Sequence, residues 1–226
     1  MTLSIIIPVL NEAEQLSAWL GHLAPVRAEG AEIIVVDGGS LDDSVAMATR
    51  WGAQVVVTDP GRARQMNAGA QLAQGDLLLF LHADTWLPSS FGAAQMERRL
   101  AGSGRVWGRF SVSIQGRPRM LRLVAWLMNR RSCLTGMATG DQAIFMLRSA
   151  FIQVGGFPDQ PLMEDIALSK RLLTLSRPLC LSDRVITSGR RWEKQGVWRT
   201  IRLMWWLRWA YWRGVPVEQL AKAYRP

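Results

Sequence analysis

The sequence predicts an α/β protein built on a mostly parallel, doubly wound sheet with helices on both faces. Short apolar, β-branched runs fall at 3–9, 32–36, 54–58 and 77–81. Helical patterns near 12–23, 42–50 and 63–73 separate them. Continuous apolar strands alternating with helices of this length indicate parallel strands covered on both faces and joined by right-handed crossovers. The 226 residues, 49% of them hydrophobic, are enough to bury a core without staples.

Met1-Thr2 leads directly into Leu3-Ser4-Ile5-Ile6-Ile7-Pro8-Val9, which reads as a strand rather than a signal peptide. No stretch reaches the ~18 apolar residues of a spanning helix, so cytoplasmic residence is the expectation. An alternating run at 106–114 predicts a further strand, Met120–Met128 an amphipathic basic segment, and Ala143–Leu147 a buried strand. Gly155-Gly156-Phe157-Pro158 reads as a turn. Glu164-Asp165 then opens a helix running to about Leu175, where acids suit the helix dipole, and a last helix covers Val197–Trp212.

Composition excludes disorder, collagen-like repetition and a disulfide scaffold. Cys133 and Cys180 lie far apart with no CxxC or Cys/His cluster, so they are expected to be free thiols of a reducing compartment. The formal charge is +9, and it is local: from Arg184 onward ten basic residues face only Glu193 and Glu218, a net of +8. Six of the eleven tryptophans share that segment. The chain is accordingly divided into a main α/β unit over 1–190 and a basic, Trp-rich helical extension over 191–226.

In a doubly wound sheet, ligands bind beyond the carboxyl ends of the strands. There the sequence places Asn11-Glu12, Asp37-Gly38-Gly39-Ser40 and His82-Ala83-Asp84. Neither GxxxxGK[ST] nor GxGxxG is present, which argues against P-loop and dinucleotide chemistry. Asp37 either accepts hydrogen bonds from a base or sugar or caps the following helix. Asp84 either holds a hard cation bound also by diphosphate oxygens, or caps a helix before Leu87-Pro88. Glu164-Asp165 offers a fixed carboxylate suited to a general base, or a pair of first-turn acids.

The ordered set Ser4–Glu12, Val35–Ser44, Gly61–Ala70, Gly75-Asp76 through His82-Ala83-Asp84, Gly155-Gly156-Phe157 and Glu164-Asp165 resembles glycosyltransferase family 2. Within it the chain is most similar to small bacterial enzymes associated with arsenosugar biosynthesis. The resemblance implies a GT-A fold, a nucleotide-diphosphate-sugar donor, a divalent cation (Mn²⁺ or Mg²⁺) and inversion at the anomeric carbon. It places Pro8, Glu12 and Asp37 on the nucleoside, Arg64 and Asn67 in the donor segment, Asp84 on the metal, and Asp165 as base with Glu164 beside it. His82 stands where relatives carry the first Asp of Asp-x-Asp, and an imidazole ligand favours Mn²⁺ over Mg²⁺. Ser188-Gly189-Arg190-Arg191-Trp192 resembles an Arg-Trp element near acceptor and diphosphate, which puts Arg191 and Trp192 in the site; surface arginines beside a buried tryptophan are the other reading.

Two further function classes stay open. A nucleotidyltransferase would use the same sheet edge but needs a basic triphosphate loop, against which Asn11-Glu12 argues. A nucleic-acid-binding protein draws only on the basic tail and leaves Asp37, Asp84 and Asp165 unexplained, so nucleic acid is not the expected partner. The acceptor is expected to be a small molecule or a lipid. Within 197–213, Trp198, Ile201, Trp205, Trp209 and Trp212 recur at three- or four-residue steps. That spacing fits a helix lying on a membrane surface, one packed on its own domain, or a homodimer contact.

Overall fold

The computed structural model describes residues 2–224, so Met1 and the Arg225-Pro226 end of the basic tail lie outside the described residues. Eight strands form one sheet: β1 (Leu3–Val9), β2 (Glu32–Asp37), β3 (Gln54–Val57), β4 (Leu77–Phe80), β5 (Thr85–Trp86), β6 (Trp107–Gln115), β7 (Ile144–Leu147) and β8 (Leu179–Ser188), in the order β3-β2-β1-β4-β7-β6-β8-β5. The pairs β1–β2, β1–β4, β2–β3 and β6–β8 are parallel. β7 and β5 enter antiparallel. Ten α-helices among the described residues connect and cover the strands: α1 (Ala13–Ala28), α2 (Ser44–Trp51), α3 (Arg62–Leu72), α4 (Ala93–Ser103), α5 (Met120–Thr135), α6 (Arg148–Gln153), α7 (Glu164–Leu172), α8 (Arg190–Gln195), α9 (Val197–Trp212) and α10 (Val217–Tyr224).

β1 is central because its isoleucines serve both faces. Successive side chains of a strand point to opposite sides. Ile5 and Ile7 therefore join a core with Leu16, Trp19, Leu20 and Leu23 of α1 and Leu121 and Val124 of α5. Ile6 enters a second core with Ala63, Met66 and Ala70 of α3 and Leu168 and Leu172 of α7. Each such fully buried side chain contributes about 1.5–3 kcal/mol. α3 approaches the sheet so closely that a Cβ on Gly69 would lie 2.5 Å from Ile6 Cγ2.

β8 was not anticipated, because Ser182, Asp183 and Arg184 interrupt its apolar pattern. The structure accommodates Asp183 in an ion pair with Arg99 of α4, and β8 runs between β6 and the two-residue β5. The cysteines differ from expectation as well. Cys133, near the end of α5, is joined to Cys180, at the start of β8, as a disulfide. Arg177 donates hydrogen bonds to the Cys133 and Leu134 carbonyls, and the two Cα atoms lie 6.0 Å apart, within reach of a bridge. Spacing alone could not show this contact across 47 residues. The argument from free thiols to a reducing compartment falls with it.

The tail also differs from a helix packed through its tryptophans. α9 turns Thr200, Leu207 and Ala210 inward, and Leu207 and Ala210 join Leu220 and Ala221 of α10 and the loop residues Leu162 and Met163 in a third small core. Trp198, Trp205, Trp209 and Trp212 face outward instead. No helix among the described residues is long and apolar enough to cross a membrane.

The carboxyl edge of the sheet is held by side chains as much as by backbone. Gln65 of α3 is buried and donates its amide hydrogens to the carbonyls of Val9 and Val36, each at 2.8 Å, at the ends of β1 and β2. Beyond them Asn11 and Ser40 lock the two loops together: the Asn11 N–H donates to Ser40 Oγ, and the Leu41 N–H donates to Asn11 Oδ1. Asn11 adopts a left-handed conformation (φ 53), which its short polar side chain tolerates. Gln65→Leu removes both amide donors from the edge and is expected to cost about 1–3 kcal/mol. For a protein of this size that lowers the unfolding temperature by several degrees, on the order of 2–4 °C per kcal/mol. Thermal denaturation beside the exposed-site control Leu41→Ser measures it.

Candidate active site

Three strands and their loops deliver polar groups to the carboxyl edge, and each group has a local reason for its position. Asp37 is the last residue of β2 and is buried. Its carboxylate accepts the Gly39 and Ser40 N–H groups, both at 2.8 Å, and the Ser40 hydroxyl. Asp37 thus builds the turn at 37–40 and does not cap α2, which begins at Ser44. Pro8 lies half-buried on β1 in register with Val36. Glu12 sits at the start of α1, where burial raises its pKa; Arg190 opposes this and Asp84 and Asp42 reinforce it.

After β4 the chain turns through His82-Ala83-Asp84 into β5, not into a helix. α1 secures this segment: the Trp19 indole N–H donates to the Thr85 carbonyl at 2.8 Å, and His22 Nε2 lies 2.8 Å from the Leu87 carbonyl. Pairing of β5 with β8 then sets Asp84 opposite the junction of β8 and α8. There Asp84, Gln15, Trp86, Gln115, Ser188, Arg190 and Glu193 line an open cavity of about 200 Å³.

His82 goes elsewhere. It lines a narrow crevice of about 10 Å³ with Gly140, Glu164 and Asp165, and Asp84 belongs to the other cavity. The two residues expected to share a metal thus line different cavities. Gly140 lies against the imidazole, where a Cβ would come within 2.3 Å of His82 Cε1. His82 Nδ1 is 3.7 Å from Asp141 Oδ1. Burial works to raise the Asp141 pKa, but the imidazole, with help from Arg62 and Arg191, holds it below the usual value.

Asp165 occupies the first turn of α7. It follows Met163, whose left-handed backbone (φ 63) turns the chain into the helix, and Glu164, which is buried. One Asp165 oxygen accepts the Gly140 N–H at 2.9 Å and the other its neighbour Ile166 N–H at 2.7 Å. Burial and the adjacent Glu164 push its pKa up to about 6, against the lowering effect of those two N–H groups. Such a carboxylate is poised to exchange a proton near neutrality.

Arg64 and Asn67 of α3 both have structural partners. Arg64 pairs with Asp159 at 3.0 Å on the exposed surface. Asn67 closes the turn at 155–157, donating to the Phe157 carbonyl at 2.8 Å and accepting the Phe157 N–H at 2.9 Å. Arg191 stacks on Tyr224 at 3.6 Å and donates to the Tyr224 carbonyl, which ties α8 to α10. Trp192 is half-buried against the first core.

Sequence reasoning passed over two cations that act on the acids, Arg62 on the exposed start of α3 and Arg131 of α5. Desolvation works against Arg62, yet the fields of Glu164, Tyr224, Asp141 and Asp165 raise its pKa. Arg62 and Arg64 are two residues apart on one helix, so they point to different sides, and nothing in the motif chooses between them. Arg131 of α5 feels Asp165 as well, and its buried Nε and Nη2 have no hydrogen-bond partner. The arrangement therefore holds a base-poised carboxylate, cations within its field, and a separate open cavity with one carboxylate and one arginine.

Residues 4–149 match the sequence model of Glycosyl transferase family 2. A PGL/p-HBAD biosynthesis glycosyltransferase of Mycobacterium bovis (strain BCG / Pasteur 1173P2) is 41% identical over 88 residues, 36% of this chain and 34% of that protein. A glycosyltransferase of Mycobacterium tuberculosis (strain CDC 1551 / Oshkosh) is 29% identical over 222 residues, 90% of this chain and 82% of its own length. Among solved structures, S. aureus TarS in complex with UDP superposes with a TM-score of 0.66 at 17% identity, over 83% of this chain and 60% of that one. A mannosyltransferase from Pyrobaculum calidifontis in complex with GDP-Man and Mn²⁺ gives 0.61 at 20% identity, over 81% and 56%. The likeness thus spans about a third of the first mycobacterial protein and less than two thirds of either solved chain. At these identities the structures speak for the fold, which is the GT-A arrangement. With the family match extending from β1 through the start of α6, this chain belongs to glycosyl transferase family 2.

Proposed function

We propose that the protein transfers a sugar from a nucleotide-diphosphate donor to an acceptor hydroxyl with inversion at the anomeric carbon. The observation that carries this reading is Asp165, a carboxylate raised to about 6, fixed by the Gly140 N–H at the carboxyl edge of the sheet. Family membership supplies the reaction class, and the UDP and GDP-Man of the neighbouring structures supply the class of donor.

The transfer forms a bond from the acceptor oxygen to the anomeric carbon and breaks the bond from that carbon to the diphosphate. The acceptor proton passes to an Asp165 oxygen. A general base at this position contributes about 10²–10⁴-fold. Glu164 keeps the Asp165 pKa high by its charge, and Arg62, in the same field, balances the cluster as negative charge moves. Arg190 lies beside Asp84 and Glu12, where a cation meets the departing diphosphate. The nucleoside is assigned to the end of β1 and β2, beside Pro8 and Asp37, on the strength of the family match.

Among the described residues no group of three or more His, Cys, Asp and Glu side chains gathers to hold a metal. The donor set still fits a cation completed by substrate, because Asp84 presents its carboxylate to the open cavity. Mg²⁺ and Mn²⁺ sites are commonly made of one or two carboxylates plus phosphate oxygens and water. Asp84 would hold such a cation, which would supply neutralisation of charge on the diphosphate. His82 lines the narrow crevice with Gly140, Glu164 and Asp165. In this arrangement His82 instead holds Asp141 beside the base.

Asp165→Asn is expected to retain nucleotide-sugar binding by calorimetry and lose at least about 10²-fold in transfer; unchanged turnover removes Asp165 from the chemistry. The base works ionised, so transfer by the natural protein is expected to fall as pH drops through about 6 and to level off above it. An acidic limb persisting unaltered in residual Asp165→Asn activity contradicts that assignment. Arg62→Gln is expected to reduce transfer by at least tenfold, about 1.4 kcal/mol. Arg64→Gln changes it little, since exposed pairs such as Arg64–Asp159 contribute only about 0–1 kcal/mol. EDTA is expected to weaken donor binding, with recovery on adding Mn²⁺ or Mg²⁺.

A further inference from the structure

α9 has two unlike faces. Its inward face, Leu207 and Ala210, packs on α10 and on Leu162 and Met163. Its outward face carries Trp198 (66% exposed), Trp205 (74%), Trp209 (56%) and Trp212 (79%), with Trp206 (46%) on the flank. Arg202 fills the gap in the stripe between Trp198 and Trp205 and is exposed, as are Arg199 and Arg213. Arg213 stacks on Trp209 at 5.6 Å. Sixteen residues make this surface about 24 Å long. No Asp or Glu occurs between Glu193 and Glu218.

We propose that this outward face docks on an anionic lipid bilayer, with the helix lying in the plane of the surface. Two features of the face select this occupant. Indoles prefer the depth of the headgroups, where an apolar ring and its N–H are both accommodated. Guanidinium groups interspersed among them, on a helix that carries no carboxylate of its own, complement phosphate-bearing lipids. A second copy of this helix is a poor occupant, since it would set arginines against arginines with no acid to pair them.

Docking has a consequence for the site. Met163, under the inner face of α9, immediately precedes Glu164-Asp165. Roughly one helix diameter, about 10 Å, would then separate the bilayer surface from the loop that leads into the base. A lipid hydroxyl is thereby favoured as acceptor. That last step rests on the proposed transfer reaction; the docking itself does not.

The test is co-sedimentation of the full chain, without sugar donor, with vesicles of phosphatidylcholine and phosphatidylglycerol and with vesicles of phosphatidylcholine alone. Binding is expected to the anionic vesicles at low salt and to weaken as salt rises. Brominated acyl chains should quench the tryptophan fluorescence of the natural protein, an arm that depends on no variant. Arg202→Gln with Arg213→Gln should weaken binding by about 30-fold, on the basis of roughly 1 kcal/mol per arginine. Trp205→Ser with Trp209→Ser and Trp212→Ser should abolish both binding and quenching while circular dichroism stays unchanged. No co-sedimentation at low salt overturns the proposal, as does binding indifferent to lipid charge. So does an oligonucleotide bound where vesicles are not, or a dimer in light scattering that the tryptophan variant dissociates while vesicles remain unbound. Because no donor is present, failure here is distinct from failure of the transfer reaction.

Discussion

The buried amide of Gln65 is the contact on which the functional edge depends. Parallel strands buried on both faces must end somewhere, and their last carbonyls then lack strand partners in a place that excludes water. Gln65 answers two of them from α3, while the Gly38 N–H also donates to Val9. Gly38 leaves little room for a side chain, since a Cβ would sit 3.1 Å from the Gln65 amide and press on it. With the strand ends closed in this way, Asn11, Glu12 and Asp37 stand at fixed positions on loops that are tied to each other. Loops of this kind can carry binding groups because the sheet beneath them does not move.

The second constraint is electrostatic. Glu164, Asp165 and Asp141 lie within one another's fields, and burial adds to their mutual repulsion at Asp165. The cluster is tolerable because Arg62, Arg131 and His82 surround it and backbone N–H groups reach Asp165 from Gly140 and Ile166. A residual bias toward protonation remains, and the proposed role of Asp165 as a base near neutral pH rests on it. The left-handed backbone at Met163 belongs to the same geometry, since strain of this sort is tolerated only where the surroundings fix it.

Much of this was legible in the sequence. The isoleucine run of β1, the strand-helix alternation up to β4 and the acids after each strand follow from the pattern, as does a helix over about 197–212, which is α9. β8 was hidden because its polar middle is satisfied by tertiary partners such as Arg99, which local patterning does not see. The acids that act on Arg62, the turn-closing role of Asn67 and the different cavities lined by His82 and Asp84 all depend on side-chain direction at an element's end. Motif spacing carries no such information. The tryptophans of α9 show the same limit: their period fixed a stripe but not which way it faces.

The most direct measurement is the crystallographic position of a bound nucleotide-diphosphate sugar. The nucleoside is predicted to lie by Pro8 and Asp37, the diphosphate at the cavity of Asp84 and Arg190, and the anomeric carbon toward Asp165. A donor seated away from the carboxyl edge of β1, β2 and β4, or one whose sugar turns away from Asp165, would contradict the assignment of this edge as the place of transfer.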